Sequence, residues 1–209
     1  MEQGMSKSKK MTTPRGTAVW PKLNEADKTF EPKGVFSTEV RLSAEDSAPM
    51  IEELTKILED YYAEAIKKEK KKLKRADLPW KAVTDDSGKE TGEFSFRFKM
   101  TARIDTDDGK TIEQRPVLFD AKMRPMSDRV GGGSIVRVGF EPHAWFVPAL
   151  GVGMSLRLKA VQVIELRQFA PKTGKDFGFS SEEGFETAFS EEAETKDDGG
   201  VEPESASQF

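Results

Sequence analysis

Phe94-Ser95-Phe96-Arg97-Phe98-Lys99-Met100-Thr101-Ala102-Arg103-Ile104 alternates with a period of two. Phe94, Phe96, Phe98, Met100, Ala102 and Ile104 fall on one face of an extended chain, and Ser95, Arg97, Lys99, Thr101 and Arg103 fall on the other, which is the pattern of a strand with one face in a core. Working outward, Asp107-Asp108-Gly109 predicts a hairpin turn into 111–119, where Pro116 demands an edge or a break. Gly131-Gly132-Gly133 leads into a strand over 134–142, and Gly151–Gly153 leads into 154–169, whose alternation fails near Val161–Ile164 and predicts a bulge or bend there. On the N-terminal side, Val35-Phe36-Ser37-Thr38-Glu39-Val40-Arg41-Leu42 alternates again and points Val40 and Leu42 to the core.

Between these strands lies one helical pattern. Met50, Ile51, Leu54, Ile57, Leu58, Tyr61, Ala65 and Ile66 recur at three- and four-residue spacing, with Ser47 placed to cap and Pro49 in the first turn, so the spacing predicts a helix over about 48–75, ending before Leu78-Pro79. Its acids lie early and its lysines late, as the helix dipole favours. About five strands with one helix inserted after the first are the parts of a mainly β fold, a five-stranded Greek-key barrel of the oligonucleotide-binding type.

The 209 residues fit one principal core with appendages. Hydrophobic residues make up 36% and charged residues 33%, a polar chain by globular standards, and residues 1–13, with Lys7, Lys9 and Lys10 and no apolar period, read as a disordered basic arm. From Ser180 to Phe209 ten acids face Lys196 alone, a net charge of −9, which leaves +5 for the rest of a chain whose total is −4. The organisation predicted is an arm over 1–13, a folded domain over 14–179 and an acidic tail over 180–209. A basic body with an acidic tail suits a protein that meets polyanions; a merely solubilising tail is the alternative.

The composition also removes chemistry. With no Cys and a single His, His143, there are no disulfides, no thiolate nucleophile, no cysteine zinc site and no histidine relay. Gly131-Gly132-Gly133-Ser134 lacks the Lys-Ser/Thr of a phosphate-binding loop, and Asp105, Asp107 and Asp108 read better as turn formers than as metal ligands. No enzyme and no cofactor is expected. No run approaches ~18 apolar residues and the start lacks the apolar core of a secretory signal, so no membrane association and a cytosolic location are expected.

What does combine is cationic and aromatic residues on strands. Arg97 and Lys99 stand opposite the phenylalanines of their own strand, Arg137, Arg157 and Lys159 extend the basic theme onto two later strands, and His143 and Trp145 follow where a ring can reach a base. A groove of that composition tracks a phosphate backbone and stacks its bases. Each has a plainer reading: a solvated face for the cations, core for Trp145, and a structural role for Trp20 and Trp80, towards which these two lean.

In order and spacing, Arg15–Asn24, Gly34–Leu42, the F-x-F-R-F-K strand (94–99), G-G-G-S-I-V-R-V (131–138), E-P-H-A-W (141–145), the Gly-led strand at 151–166 and an acidic tail ending in Phe209 resemble the single-stranded DNA-binding proteins of T-seven-type short-tailed phages. The resemblance spans nearly the whole chain. It implies an oligonucleotide-binding barrel with one helix, a cationic groove with stacking aromatics, a homodimer that promotes strand annealing, and work in phage DNA replication, recombination and repair in the host cytoplasm. Arg97 and Lys99 match the family's basic strand and Trp145 its ring near the end of the fourth strand; His143 stands where the family form has Tyr. The tail would occlude the groove and, through Phe209 with Glu202 and Glu204, dock on the phage DNA polymerase and helicase-primase. A protein-interaction module with no nucleic-acid role remains the alternative.

Overall fold

The computed structural model describes residues 9–106, 108–168, 178–180 and 182–185. Its elements are β1 (Met11–Thr12), β2 (Gly16–Asp27), β3 (Val35–Ser43), α1 (Ala44–Glu69), β4 (Trp80–Thr84), β5 (Glu90–Thr101), β6 (Arg103–Asp105), β7 (Thr111–Glu113), β8 (Val117–Phe119), β9 (Ile135–Val147) and β10 (Gly151–Glu165). Strand pairing runs β9–β2–β3–β5–β10 and returns from β10 to β9, which closes five strands into a barrel. Closure removes the open edges that a sheet of this size would otherwise present. The only parallel contact in that ring is β5 with β10, and it is brief, pairing Leu156 with Phe98 and Arg157 with Lys99.

The alternation read from 94–104 sets the core. Phe96 and Phe98 are fully buried, with the Phe98 ring 5.0 Å from that of Phe140 on β9, while Val40, Leu42, Val136, Leu156 and Leu158 fill the barrel from neighbouring walls. Leu54 and Leu58 of α1 join the same cluster. The regularity of this strand stops earlier than expected, because Ala102 hands its N–H to Gly34 and its carbonyl to Gln114, and Arg103–Asp105 leaves the barrel to pair with Thr111–Glu113 in a separate hairpin. Ile104 is therefore 42% exposed instead of buried. Pro116 divides β7 from β8, as a residue without an N–H must.

The readings of the helix and of the N-terminal arm are corrected. The helix begins at Ala44, not near 48, because the Ser43 hydroxyl accepts the Asp46 N–H at 3.0 Å and donates to the Asp46 carboxylate at 2.7 Å, an N-cap that precedes the apolar run. Ser47, expected as the cap, is instead buried inside the helix with its hydroxyl on the Ala44 carbonyl. The helix ends at Glu69, where Lys70 turns left-handed (φ 54) and closes on the Ile66 carbonyl, well short of 75. It follows the second barrel strand, since Gly16–Asp27 is itself a wall strand. The arm expected over 1–13 is already in the sheet at Met11 and Thr12, opposite Phe140 and Gly139, with Thr13 buried.

Strand β2 escapes a period-two reading because it carries a bulge. Val19 pairs with Glu39 and Lys22 with Ser37, leaving Trp20 and Pro21 against one residue of β3. Trp20 has φ +47, a left-handed backbone on a bulky residue placed directly before proline. Such a conformation costs about 1–3 kcal/mol. In β10 the register shifts fall between Leu158 and Ala160 and between Val163 and Glu165, which brackets the bulge or bend expected near 161–164.

Candidate nucleic-acid interface

Where β5 and β10 run side by side their short parallel contact splays, and a groove of about 540 Å³ opens along the outer wall. Arg97, Lys99 and Thr101 enter it from β5; Ser155, Arg157 and Lys159 enter from β10; Pro79, Ile104 and Gln114 also line it. The period of two that buries Phe96 and Phe98 is what projects Arg97 and Lys99, and the same rule on β10 buries Leu156 and Leu158 and projects Arg157 and Lys159. No acid is among the described residues lining the groove. Lys159 bridges to Glu141 at 3.1 Å, whereas Arg97, Lys99 and Arg157 have no ion-pair partner among the described residues. Burial first and the neighbouring Arg97 charge second hold the Lys99 ammonium below its ordinary range, with Glu31 working in the opposite sense. Cations crowded this way repel one another, an arrangement that a polyanion would relieve.

The remaining sequence-read positions divide. On the far side of β10, His143 pairs with Ser155, and burial followed by the charge of Arg157 lowers its pKa. Trp145, expected just beyond a strand, lies within β9; it is half-buried, donates Nε1–H to the Ser155 hydroxyl at 2.9 Å and lies across Gly153. A Cβ on Gly153 would fall 2.5 Å from the indole Cζ2 atom, so only glycine leaves room for the ring. His143 and Trp145 thus border the groove through Ser155. Arg137 does not join them: its guanidinium Nε donates to the Thr13 carbonyl at 3.1 Å, far along β9, and ties down the N-terminal segment. Phe209, Glu202 and Glu204 lie outside the described residues.

Two rings were not among the expected site residues. Trp80 is buried at 8% and stacks on Phe96, in keeping with a structural role, but Trp20 is 81% exposed and Phe30, on the loop after β2, is 91% exposed. No sequence signal separates the two tryptophans, since the exposure of Trp20 follows from the bulge. Among the described residues no group of three His, Asp or Glu could hold a metal ion; Asp105 pairs with Lys33, Asp108 with Lys110, and Asp107 lies outside the described residues.

A family model described as "Single-stranded DNA-binding protein, Bacteriophage T7" matches residues 15–166, nearly three-quarters of the sequence. The chain belongs to that family. This phage single-stranded DNA-binding family match runs from just before β2 to just past β10, so it takes in all five barrel strands and both walls of the groove. The segment after 166, with the acidic tail, falls outside it. Among solved structures, gp2.5, a single-stranded DNA-binding protein encoded by bacteriophage T7, superposes with a TM-score of 0.67 at 24% identity over 77% of this chain and 94% of its own. The single-stranded DNA-binding protein of bacteriophage Enc34, solved in complex with single-stranded DNA, gives 0.54 at 13% identity over 76% and 88%. These likenesses establish the fold. No curated protein matches the chain. No helix among the described residues is long and apolar enough to cross a membrane.

Proposed function

We propose that this chain binds and protects single-stranded DNA during phage DNA replication, recombination and repair, with the strand lying along the β5–β10 groove. The observation that carries this is the convergence of Arg97, Lys99 and Arg157, with no ion-pair partner among the described residues, in a groove that has no acidic wall there. In this reading phosphates neutralise these cations, and Trp145 and His143, which pair with Gly153 and Ser155 on β10, meet the bases. Family membership supports the same reading, and the Enc34 protein, solved with single-stranded DNA, agrees with it. In this reading residues 14–179 are the DNA-binding domain and 180–209 a tail that competes for the groove and recruits the phage polymerase and helicase-primase through Phe209, Glu202 and Glu204. The protein acts as a homodimer in the host cytoplasm, without catalysis or cofactor.

Fluorescence anisotropy of labelled oligo-dT against protein concentration at several salt concentrations tests this. Tight binding that weakens steeply with salt, with little binding of blunt duplex, is expected. Equal, weak binding of both at low salt would leave only the interaction-module reading.

A further inference from the structure

The indole of Trp20 stands on the solvent side of the barrel, nearly fully exposed, on a backbone conformation that bulky residues avoid and that a following proline disfavours further. A ring that contributes neither to the core nor to backbone comfort has its explanation outside the folded chain. Strand register locates it. Val19 pairs with Glu39, which pairs with Arg97; Lys22 pairs with Ser37, which pairs with Lys99. Trp20 therefore sits between those two rows, two strand spacings or about 10 Å from the cations of the groove. The wall beside it is low, since Ala18 is bonded to Ser134 and Gly133 and Gly132 brings no side chain against Pro21.

We propose that Trp20 is a base-stacking platform that extends the single-strand path from the groove across β3 to the β2 bulge. The proposal rests on the function argued above and deepens it. Glu39 lies between Trp20 and Arg97 and accepts the Ser95 hydroxyl at 2.9 Å. Its carboxylate repels phosphate, so the strand crosses β3 with its backbone held on the Arg97 and Lys99 side and a base turned towards the indole. Trp145, held on Gly153 and bonded to Ser155 on the β9 side of β10, belongs to the opposite rim and meets a different base.

Two substitutions in the full-length chain test this. Trp20→Gly removes the ring and fits the left-handed backbone, so its melting temperature should be no lower than that of the parent, while oligo-dT affinity falls roughly 5- to 150-fold, the range for loss of one base–aromatic stack. Trp20→Phe keeps a ring and should bind within about threefold of the parent, yet lose a distinct part of the tryptophan quenching that oligo-dT causes. Parent-like affinity in Trp20→Gly, or undiminished quenching in Trp20→Phe, overturns the proposal while leaving the groove intact. Failure of the parent chain itself to bind oligo-dT would instead overturn the function on which it rests.

Discussion

At the scale of single residues, groove cations and rim residues make different predictions. Arg97→Ala or Lys99→Ala should weaken binding of every oligonucleotide sequence about equally and make the salt dependence shallower by ~0.7 in log–log slope for each phosphate that is no longer neutralised. An unchanged slope in both variants, measured by anisotropy, would return these side chains to a solvated face. His143 responds to pH. An unfolded histidine titrates near ~6.5, and burial with Arg157 alongside lowers the folded value. As pH falls below about 6.5 the unfolded chain therefore takes up the proton first, and stability present at higher pH is lost. In the proposed DNA complex, a phosphate beside His143 would act in the opposite direction and couple binding to proton uptake. His143→Gln should flatten both the melting-temperature profile and the oligo-dT affinity profile between about pH 5 and 7; profiles parallel to the parent's would place His143 outside the groove. Arg97, Lys99, Arg157 and Lys159 were legible because a period of two fixes which way each residue points. Arg137 obeys the same period on β9 and still misses the groove, since direction is local whereas position around a barrel depends on strand order.

Elements were legible where one periodicity ran without interruption. Phe94–Met100 and the apolar stripe of α1 carry their fold in their spacing; Gly16–Asp27 does not, because register shifts at Trp20-Pro21 and again between Lys22 and Asp27 change the phase of alternation. Helix ends follow capping chemistry instead of stripe length, which is why α1 starts four residues before Ala48 and stops at a left-handed Lys70. The cap has a measurable weight: Ser43→Ala should lower stability by about 1 kcal/mol in urea unfolding with no change in oligo-dT affinity. A comparable loss from Ser47→Ala through the same capping contact is not expected, since the Ser47 hydroxyl bonds the Ala44 carbonyl within the helix. The β6–β7 hairpin belongs to neither pattern. Its turn was readable from Asp107-Asp108-Gly109, but its departure from the barrel is set by the Ala102 hydrogen bonds to Gly34 and Gln114, which join segments far apart in sequence.

For the whole molecule the controlling quantity is charge separation along the chain. A tail of net −9 joined to a body of net +5 is held near any cationic groove at an effective concentration of ~millimolar for a short flexible connection. In the proposed reading, DNA displaces it. The competition proposed above is for Arg97, Lys99 and Arg157, and an electrostatic competitor acts most strongly where the Debye length is long. Deleting 180–209 is therefore expected to raise oligo-dT affinity, most at low salt, with the advantage shrinking as salt approaches ~1 M, where screening extends only ~3 Å. Electrostatic competition needs charge but no ring, so removal of Phe209 alone should leave that affinity nearly unchanged while impairing capture of the replicative polymerase. The two deletions thus separate a competitor from an anchor. Should the tailless protein bind single strands no more tightly at low salt, the groove and the tail do not compete, and the acidic segment acts only on solubility or on partners.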